Sequence, residues 1–316
     1  MKNILITGAG GFLGKQVLKV FKSVGSEIYT IGRNPVGDSF KHIIADISTA
    51  KIELPDDIFF EKVIHLAGKA HVFPKNKKEV QAFYDTNHIG TINLLNSLDK
   101  LLKKPLMFIN AGTVAVYGLE KGENINETEL PKPNTPYAIS KLQAEKEIEK
   151  WCKERQIVYL NLRLPLIVGN DAPGNLRAMV KAISKGRYFS IAGNNAKKSA
   201  VLAQDIAEFV FELNPKNVVS GTYNLTDGLH PSFNEIELAI SKRLDKKIRV
   251  HLPIKFVKIL AKFGNLLNKI KIPFPMNESN FKKIINTLTF SDSKAKQYLD
   301  WKPKSVIEFL ENNLKA

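Results

Sequence analysis

The chain is nearly devoid of cysteine. Cys152 is the only cysteine among 316 residues, which excludes an intramolecular disulfide and fits the reducing environment of the cytoplasm. Hydrophobic runs are also short, far below the roughly 20 residues that a membrane-spanning helix needs. The six histidines show no spacing typical of a metal site. We therefore expect a cytoplasmic protein with no bound metal and no stable membrane insertion.

Acidic residues are scarce relative to basic ones. The chain has 31 Asp and Glu against 47 Lys and Arg, a formal net charge of +16. Such a charge favours anionic partners such as nucleic acid, membrane surfaces or phosphorylated small molecules. The lysines are spread along the chain, and we find no nucleic-acid-binding motif and no basic run with interleaved aromatic residues. We expect no nucleic-acid partner.

Short apolar, β-branched runs alternate with amphipathic segments from residue 3 to about residue 165. This alternation is typical of a parallel sheet covered by helices on both faces. Strands are predicted at residues 3–7, 27–31, 42–45, 63–66, 106–110 and 158–163, and helices at 12–24, 79–102 and 136–154. The predicted fold class is α/β, with a Rossmann-type doubly wound parallel sheet in a dinucleotide-binding domain of residues 1–168.

The pattern becomes looser after Gly169. Helices are predicted near residues 175–185 and 205–213 and a strand at 222–225, followed by helices separated by prolines. We expect residues 169–316 to form a smaller mixed α/β lobe that mainly binds substrate. No Gly/Ser-rich linker separates the two parts, so this prediction includes the case in which helices or strands of the second part pack within the first domain.

A glycine-rich turn follows the first predicted strand. In ILITGAGGFLGKQVL, Gly8, Gly11 and Gly14 lie between a strand and a helix. Glycines there permit a tight turn and a close approach of the backbone to a pyrophosphate, which the helix N-terminus attracts. The turn predicts dinucleotide binding.

The second and third strands carry candidate cofactor contacts. NAD sites usually have an acidic residue at the end of the second strand, but this chain has Arg33 there. Arg33 is suited to a 2′-phosphate, so NADP is favoured over NAD. Asp46, after the third strand, is a candidate for contact with the adenine amino group; an aspartate at that place is also a common turn residue.

Tyr137 and Lys141 lie four residues apart in a predicted helix, which places them on one face. A nearby ammonium and a positive nicotinamide favour the phenolate, so we expect a lowered tyrosine pKa and a general base. Thr113 follows the central strand at its carboxyl end, where open α/β sheets bind ligands. The three side chains are predicted to meet.

Several motifs together resemble the extended short-chain dehydrogenase/reductase superfamily, in its nucleotide-sugar epimerase, reductase and dehydratase branch. The resemblance covers nearly the whole chain. It rests on T-G-x-x-G-x-x-G at 7–14, VIHLAG at 63–68, NHIGTINLL at 87–95, GTVAVYG at 112–118, PYAISKLQAE at 136–145, LRLPLIVG at 162–169 and LDWKP at 299–303.

This resemblance implies roles for individual residues. Tyr137 is the expected general acid and base, Lys141 binds the nicotinamide ribose and tunes the tyrosine, and Thr113 supplies the hydroxyl that orients the substrate. His65 matches a position of the family, and we interpret it as packing. The expected cofactor-binding residues are Gly8, Gly11, Phe12, Leu13, Gly14, Arg33, Asp46, Ile47, Leu66, Ala67, Gly68, Asn87, Tyr137, Lys141 and Pro165.

The resemblance also narrows the reaction. In related 4,6-dehydratases an Asp-Glu pair follows the hydroxyl residue, whereas Val114 and Ala115 follow Thr113 here and cannot exchange protons. The chain looks most like reductases of UDP-4-keto-6-deoxy-N-acetylhexosamines, which serve surface polysaccharide synthesis. UDP-sugar 4-epimerases come next. They remain an alternative because this chain has Tyr117, which is replaced in most of the matching reductases. A non-catalytic dinucleotide-binding sensor or scaffold is the remaining alternative.

Substrate contacts follow from the same resemblance. Asn175 is expected to touch the diphosphate or uridine, and Lys198 stands where relatives generally have an arginine that grips the diphosphate. Relatives often dimerise through two helices per subunit, which predicts a homodimer through helices 79–102 and 136–154. The basic stretch 254–275 is interpreted either as a membrane-surface helix or, preferably, as a lobe helix that buries its apolar side.

Overall fold

The computed structural model describes residues 3–22, 27–37, 40–49, 52–70, 74–269 and 277–315, with the backbone alone for residues 266–269. Its strands are β1 (Asn3–Thr7), β2 (Glu27–Gly32), β3 (Lys41–Ile44), β4 (Phe60–His65), β5 (Met107–Thr113), β6 (Gly122–Ile125), β7 (Val158–Leu164), β8 (Leu166–Val168), β9 (Phe189–Ala192), β10 (Ala200–Leu202), β11 (Gly221–Asn224), β12 (Val250–Pro253) and β13 (Leu288–Phe290). Its helices are α1 (Phe12–Phe21), α2 (Lys77–Tyr84), α3 (Gly90–Leu98), α4 (Pro136–Glu154), α5 (Asn175–Ser184), α6 (Ala203–Glu212), α7 (Phe233–Arg243), α8 (Ile254–Lys269), α9 (Glu278–Ile285), α10 (Ser293–Leu299) and α11 (Val306–Asn312).

Seven parallel strands form the central sheet, in the order β11-β7-β5-β4-β1-β2-β3. The chain builds outward from β1 to β3, returns to place β4 on the other side of β1, and builds outward again. The strand order therefore reverses between β1 and β4, the point at which an open α/β sheet forms a crevice beyond its carboxyl ends. The predicted doubly wound fold is confirmed.

The sheet is buried on both faces. Ile4 and Ile6 of β1 pack with residues of α1 and α6, whereas Leu5 packs on the opposite face with residues of α3 and α4. These three side chains are at most 2% exposed. Burial on both faces explains why β1 is a continuous apolar run rather than an alternating pattern.

The helices agree with the prediction to different degrees. The predicted helix 136–154 matches α4, which begins where it does because the Thr135 hydroxyl accepts a hydrogen bond from the Ala138 N–H (3.2 Å) and Pro136 takes the first helical position. The predicted helix 79–102 is divided into α2, a π-helical turn (Asp85–Ile89) and α3. The predicted helix 12–24 is α1, which ends at Phe21; residues 23–26 lie outside the described part of the chain.

Residues after 169 contribute both to the sheet and to a second, smaller lobe. Strand β11 pairs with β7 at the edge of the sheet, and α6 packs against α1. The mixed lobe contains α5, α7 and α11, whose buried side chains form a separate apolar core. A domain boundary at residue 168 remains a proposal. Helix α6 and strand β11 follow this boundary in sequence but pack with the first domain.

One expectation about the lobe is wrong. Helix α8 was expected to bury its larger apolar residues, but Val257 and Ala261 are the buried positions. Phe256, Ile259 and Phe263 are 48%, 64% and 52% exposed. The side chains of Leu266, Leu267 and Lys269, and all of residues 270–275, lie outside the described part. The sequence did not show whether Val257 and Ala261, or Phe256, Ile259 and Phe263, would pack against the lobe.

Candidate active site

The glycine-rich turn lies at the crevice between β1 and β4. Gly8 has a φ of +71°, and a Cβ atom there would lie 2.5 Å from the Ala67 backbone nitrogen. A Cβ atom on Gly14 would lie 2.3 Å from the Gly8 carbonyl oxygen. Both positions therefore require glycine, because the turn folds tightly onto α1 and onto the loop that follows β4.

Helix α1 presents an N-terminus suited to an anion. Its N-cap is Gly11, which has no side chain to bond the N–H groups of the first turn. Those groups and the positive end of the helix dipole fit a pyrophosphate. Of the next two predicted residues, Leu13 is buried in the core and the Phe12 ring packs beside Gly169. The turn and helix thus fit the dinucleotide that the fold implies.

Arg33 and Asp46 lie at the carboxyl ends of β2 and β3. Arg33 is exposed, and its positive charge helps to lower the pKa of Asp46. The larger cause is a hydrogen bond from the Ser48 hydroxyl (2.7 Å), supplemented by the Ser48 N–H (3.0 Å). The Asp46 carboxylate thus stabilises the turn that follows β3. Ile47 is buried against Gly90 and can line a ligand only through its backbone.

The loop after β4 is fixed to β1. The Leu66 N–H donates to the Thr7 carbonyl (3.1 Å), and the Ala67 N–H donates to the Thr7 hydroxyl (3.2 Å). The same hydroxyl contacts His65 Nδ1 (2.7 Å). Burial lowers the pKa of His65 to about 3, so the ring is neutral. This agrees with our interpretation of His65 as packing.

Asn87 joins three parts of the site. It is buried in the π-helical turn, where its Oδ1 accepts from the Lys69 N–H (2.7 Å) and its Nδ2 donates to Ser140 Oγ of α4 (3.0 Å). A Cβ atom on Gly68 would lie 3.1 Å from Asn87 Oδ1 and 3.8 Å from Lys141 Nζ. The loop after β4 and helix α4 therefore converge around Lys141.

Thr113 and Tyr137 are brought together as predicted. Thr113 ends β5, Tyr137 lies in the first turn of α4, and α4 packs against β5. Their hydroxyl groups form a hydrogen bond that lowers the tyrosine pKa. The Thr113 oxygen also accepts from the Ala115 N–H (3.2 Å), which fixes its direction.

The direction of the Tyr137 pKa shift differs from our expectation. Burial raises the pKa above its ordinary value of 10.0, the Thr113 hydrogen bond opposes the rise, and the Glu145 carboxylate adds to it. Lys141 is itself only 5% exposed, and burial lowers its pKa from 10.5 to about 8 against an opposing effect of Glu145. The prediction considered the ammonium but not the cost of burying the phenolate.

Sequence reasoning missed Glu145 and Arg163. Arg163 Nη2 of β7 lies 2.9 Å from Glu145 Oε2 of α4, and both side chains are buried. Asn110 of β5 and Asn161 of β7 continue this polar group, with Asn110 Nδ2 2.9 Å from Asn161 Oδ1. A signal was present, because Glu145 follows Tyr137 and Lys141 at the same four-residue spacing.

The predicted substrate residues lie in the second lobe. Asn175 is exposed at the first position of α5. Lys198 Nζ donates to the Asn286 carbonyl (2.5 Å), and burial lowers its pKa to about 8. Pro165 is half-buried between β7 and β8. The contacts of Lys198 are thus within the lobe, while Thr113, Tyr137, Lys141 and Gly68 form the cluster at the sheet.

The described residues provide neither a metal-binding cluster nor a membrane-spanning helix. Among the side chains of the described ranges, no group of three or more His, Cys, Asp or Glu is arranged to hold a metal ion. In the same part of the chain, every helix is too short or too polar to cross a lipid bilayer.

The doubly wound sheet with a glycine turn at its switch point is the architecture of a dinucleotide-binding protein. Thr113, Tyr137 and Lys141 lie together at the carboxyl edge of this sheet. The model of the NAD dependent epimerase/dehydratase family matches residues 4–226, and the chain belongs to this family. Membership of this family makes it an NAD(P)-dependent enzyme.

Relatives cover nearly the whole chain. An N-acetyl-α-D-glucosaminyl-diphospho-ditrans,octacis-undecaprenol 4-epimerase of Escherichia coli O157:H7 is 27% identical over 93% of this chain and 88% of its own. A UDP-glucose 4-epimerase of Vibrio cholerae is 25% identical over 97% and 92%. The solved UDP-glucose 4-epimerase of Thermotoga maritima is similar in fold, with a TM-score of 0.74, 20% identity and coverage of 98% and 96%.

Proposed function

We propose that the protein moves a hydride and a proton at C4 of a sugar activated by a diphosphate. The observation that carries this proposal is the convergence of Thr113, Tyr137 and Lys141 beside Gly68, at the carboxyl end of β5. Val114 and Ala115 occupy the turn after Thr113 and offer no group for proton transfer. This supports chemistry at C4 over a 4,6-dehydration.

Each catalytic side chain has a distinct task. A bound nicotinamide cofactor supplies the hydride acceptor or donor. Tyr137 takes the proton from the C4 hydroxyl, or returns it to the C4 oxygen in the reverse direction. Thr113 donates a hydrogen bond that holds the same oxygen, and the Lys141 ammonium binds ribose hydroxyls and favours the phenolate.

Two reactions use this chemistry. The first is reduction of a UDP-4-keto-6-deoxy-hexosamine for surface polysaccharide synthesis. Arg33 supports it because this residue suits NADPH, which a reductase takes up afresh at each turnover, whereas an epimerase recycles its bound cofactor. The second is 4-epimerisation, which relatives that match nearly the whole chain carry in their names. The comparisons do not favour the reductase, and the epimerase is equally well supported.

We propose NADP as the preferred cofactor. Arg33 is exposed at the end of β2, where a 2′-phosphate would meet its guanidinium, and Asp46 at the end of β3 would meet the adenine amino group. The remaining expected contacts come from the glycine turn, the loop after β4 and Asn87.

The activating group is a diphosphate that Asn175 and Lys198 contact in this proposal. One relative is named for UDP-glucose and another for a sugar on undecaprenyl diphosphate. Both names share the sugar diphosphate. A uridine or a polyprenyl chain would then lie beyond this common unit.

We also propose that the enzyme works in the cytoplasm as a homodimer. The segment from α2 to α3 and helix α4 would form the interface, as in the predicted four-helix arrangement. Ile89 in this segment is 41% exposed. Light scattering of the purified protein tests the proposal, and the mass of a single chain would contradict it.

Mass spectrometry of sugar products tests the reaction. The protein is incubated with UDP-N-acetylhexosamines and their 4-keto-6-deoxy derivatives, with NADPH or NADH. A gain of two hydrogens with cofactor consumption identifies the reductase. Isomerisation at constant mass without added reductant identifies the epimerase. No turnover of any nucleotide sugar, together with intact cofactor binding, would instead favour the sensor or scaffold.

A further inference from the structure

Helix α8 packs on the second lobe through one narrow face. Val257 and Ala261 are fully buried and contact a cluster that includes Ile191 of β9 and Phe281 of α9. Gly264, one turn further on, is also buried. Successive helical residues are about 100° apart, so these three positions share a sector of about 60°. The exposed side chains of α8, within residues 254–265, lie outside this sector.

An apolar stripe covers part of the outward side. It consists of Phe256, Ile259 and Phe263, which are 48%, 64% and 52% exposed. The three positions lie within about 60° of one another on the helix. Single exposed apolar residues are ordinary, but two phenylalanines and an isoleucine aligned on one helix indicate an interaction surface.

A lysine stripe runs beside the apolar stripe. It consists of Lys255, Lys258 and Lys262, all exposed, in a neighbouring sector of about 60°. The sequence of α8, IKFVKILAKFGNLLNK, contains no acidic residue. A helix that exposes aromatic side chains next to lysines matches the boundary between lipid acyl chains and anionic headgroups.

We infer that the outward side of α8 is a docking surface for an anionic phospholipid bilayer. The apolar stripe enters the headgroup boundary, and the lysine stripe meets lipid phosphates. The net charge of +16 adds a general attraction to the same surface. A second copy of this chain is a poorer partner, because its own lysine stripe would repel this one.

Docking of α8 would bring a candidate substrate site to the membrane. Helix α8 packs on α9, and the residue after α9, Asn286, binds Lys198 through its carbonyl oxygen. This step rests on the proposed function, in which Lys198 contacts the diphosphate. Sugars linked to a membrane lipid by a diphosphate then become the substrate class that the surface favours.

Vesicle flotation without any sugar substrate tests the inference. The probes are vesicles of equal parts phosphatidylglycerol and phosphatidylcholine, compared with pure phosphatidylcholine. We expect wild-type protein to bind the anionic vesicles preferentially. Replacing the three lysines of the stripe by glutamine should lower this binding about 100-fold, because each lysine near an anionic surface contributes roughly a fivefold increase in affinity. Replacing the apolar stripe by serine should lower it at least tenfold.

A matched control is Lys75→Gln with Lys77→Gln and Lys78→Gln, three exposed lysines at the start of α2. This variant loses the same charge and should retain binding within about threefold. Unchanged melting temperatures of all variants confirm that each one folds.

Three outcomes would overturn the inference: equal binding to both lipids, no binding of wild type, or equal losses in the α2 control. Dissociation of a dimer by the serine variant would overturn it too, by identifying α8 as a contact between copies. Turnover of a nucleotide sugar is assayed separately without vesicles, so failure of the C4 proposal leaves the flotation result unaffected.

Discussion

Glu145 and Arg163 form an ion pair inside the protein, with Arg163 Nη2 2.9 Å from Glu145 Oε2. The Arg163 side chain is 7% exposed and the Glu145 side chain is 4% exposed. The pair joins α4, which carries Tyr137 and Lys141, to β7 of the sheet. The guanidinium also lies 4.8 Å from the centre of the Tyr117 ring. Burial raises the pKa of Glu145, while Arg163 and Lys141 oppose the rise. A buried charge pair therefore connects α4 to the sheet.

Glu145→Gln should destabilise the protein by about 3–5 kcal/mol, because Arg163 would remain buried without its counter-charge. Urea unfolding measures this loss. Glu154→Gln on the same helix is the control: it removes an exposed pair with Arg155, and we expect a change below about 1 kcal/mol. Equal effects of the two variants would show that the buried pair does not hold α4.

Lys141 should make stability depend on pH. Its pKa is about 8 in the folded protein against an ordinary 10.5, so between these values the unfolded chain binds more protons than the folded one. Stability then rises with pH in this window and is lost as pH falls through about 8. The stability of wild type relative to Lys141→Met should increase by up to about 3 kcal/mol between pH 7.5 and 10.5.

Chemical unfolding across this pH range provides the measurement for Lys141. Lys150→Met, at an exposed position of the same helix, is the matched control. A flat difference for Lys141→Met would mean that the Lys141 ammonium is solvated.

Tyr137→Phe should lower kcat by about 10²–10⁴-fold, because it removes the group that moves the proton. Cofactor affinity, measured by fluorescence titration, should change by less than about twofold. Tyr117→Phe is the control, since it also removes one buried tyrosine hydroxyl, which is bonded to Asn224 Oδ1 (2.9 Å). Similar losses of kcat in both variants would argue against a catalytic role for Tyr137.

Gly8→Ala should abolish cofactor binding or prevent folding. The new Cβ atom would lie 2.5 Å from the Ala67 nitrogen, a backbone atom held by a hydrogen bond to the Thr7 hydroxyl (3.2 Å). Gly186→Ala is matched in backbone conformation, with a φ of +63° and no atom within 4 Å of the new Cβ. It should cost only about 1–2 kcal/mol of conformational strain. Thermal melting with and without cofactor distinguishes the two effects, and equal outcomes would contradict the close approach at Gly8.

Arg33→Ala should raise KM for NADPH about tenfold or more and leave KM for NADH within about twofold, because the lost guanidinium would pair only with the 2′-phosphate. Steady-state kinetics with both cofactors measure this. Arg187→Ala changes an exposed arginine of the second lobe and should alter neither value. A preference of wild type for NADH would remove the basis for the NADP proposal.

Much of the fold was predictable because its signals are local. The apolar β1, the glycines that precede α1, and the Thr135 and Pro136 cap of α4 each depend on neighbours in sequence. Strand β11 was recognised from its own residues, yet its place beside β7 depends on a partner some 60 residues away. The Tyr137 and Thr113 contact was inferred from the fold, since the carboxyl ends of parallel strands meet at one edge.

The amino-acid sequence alone determined the strand and helix pattern and the glycine turn after β1, because short-range sterics, capping and periodicity govern these features. The catalytic roles of Thr113, Tyr137 and Lys141 follow from the resemblance to a family and stay a prediction. Tertiary packing decided the rest. It buried Lys141 and raised the Tyr137 pKa, paired Glu145 with Arg163, and selected Val257 and Ala261 instead of Phe256, Ile259 and Phe263 as the buried side of α8. Burial and charge pairing arise between residues far apart in the chain, and local sequence does not specify their distances.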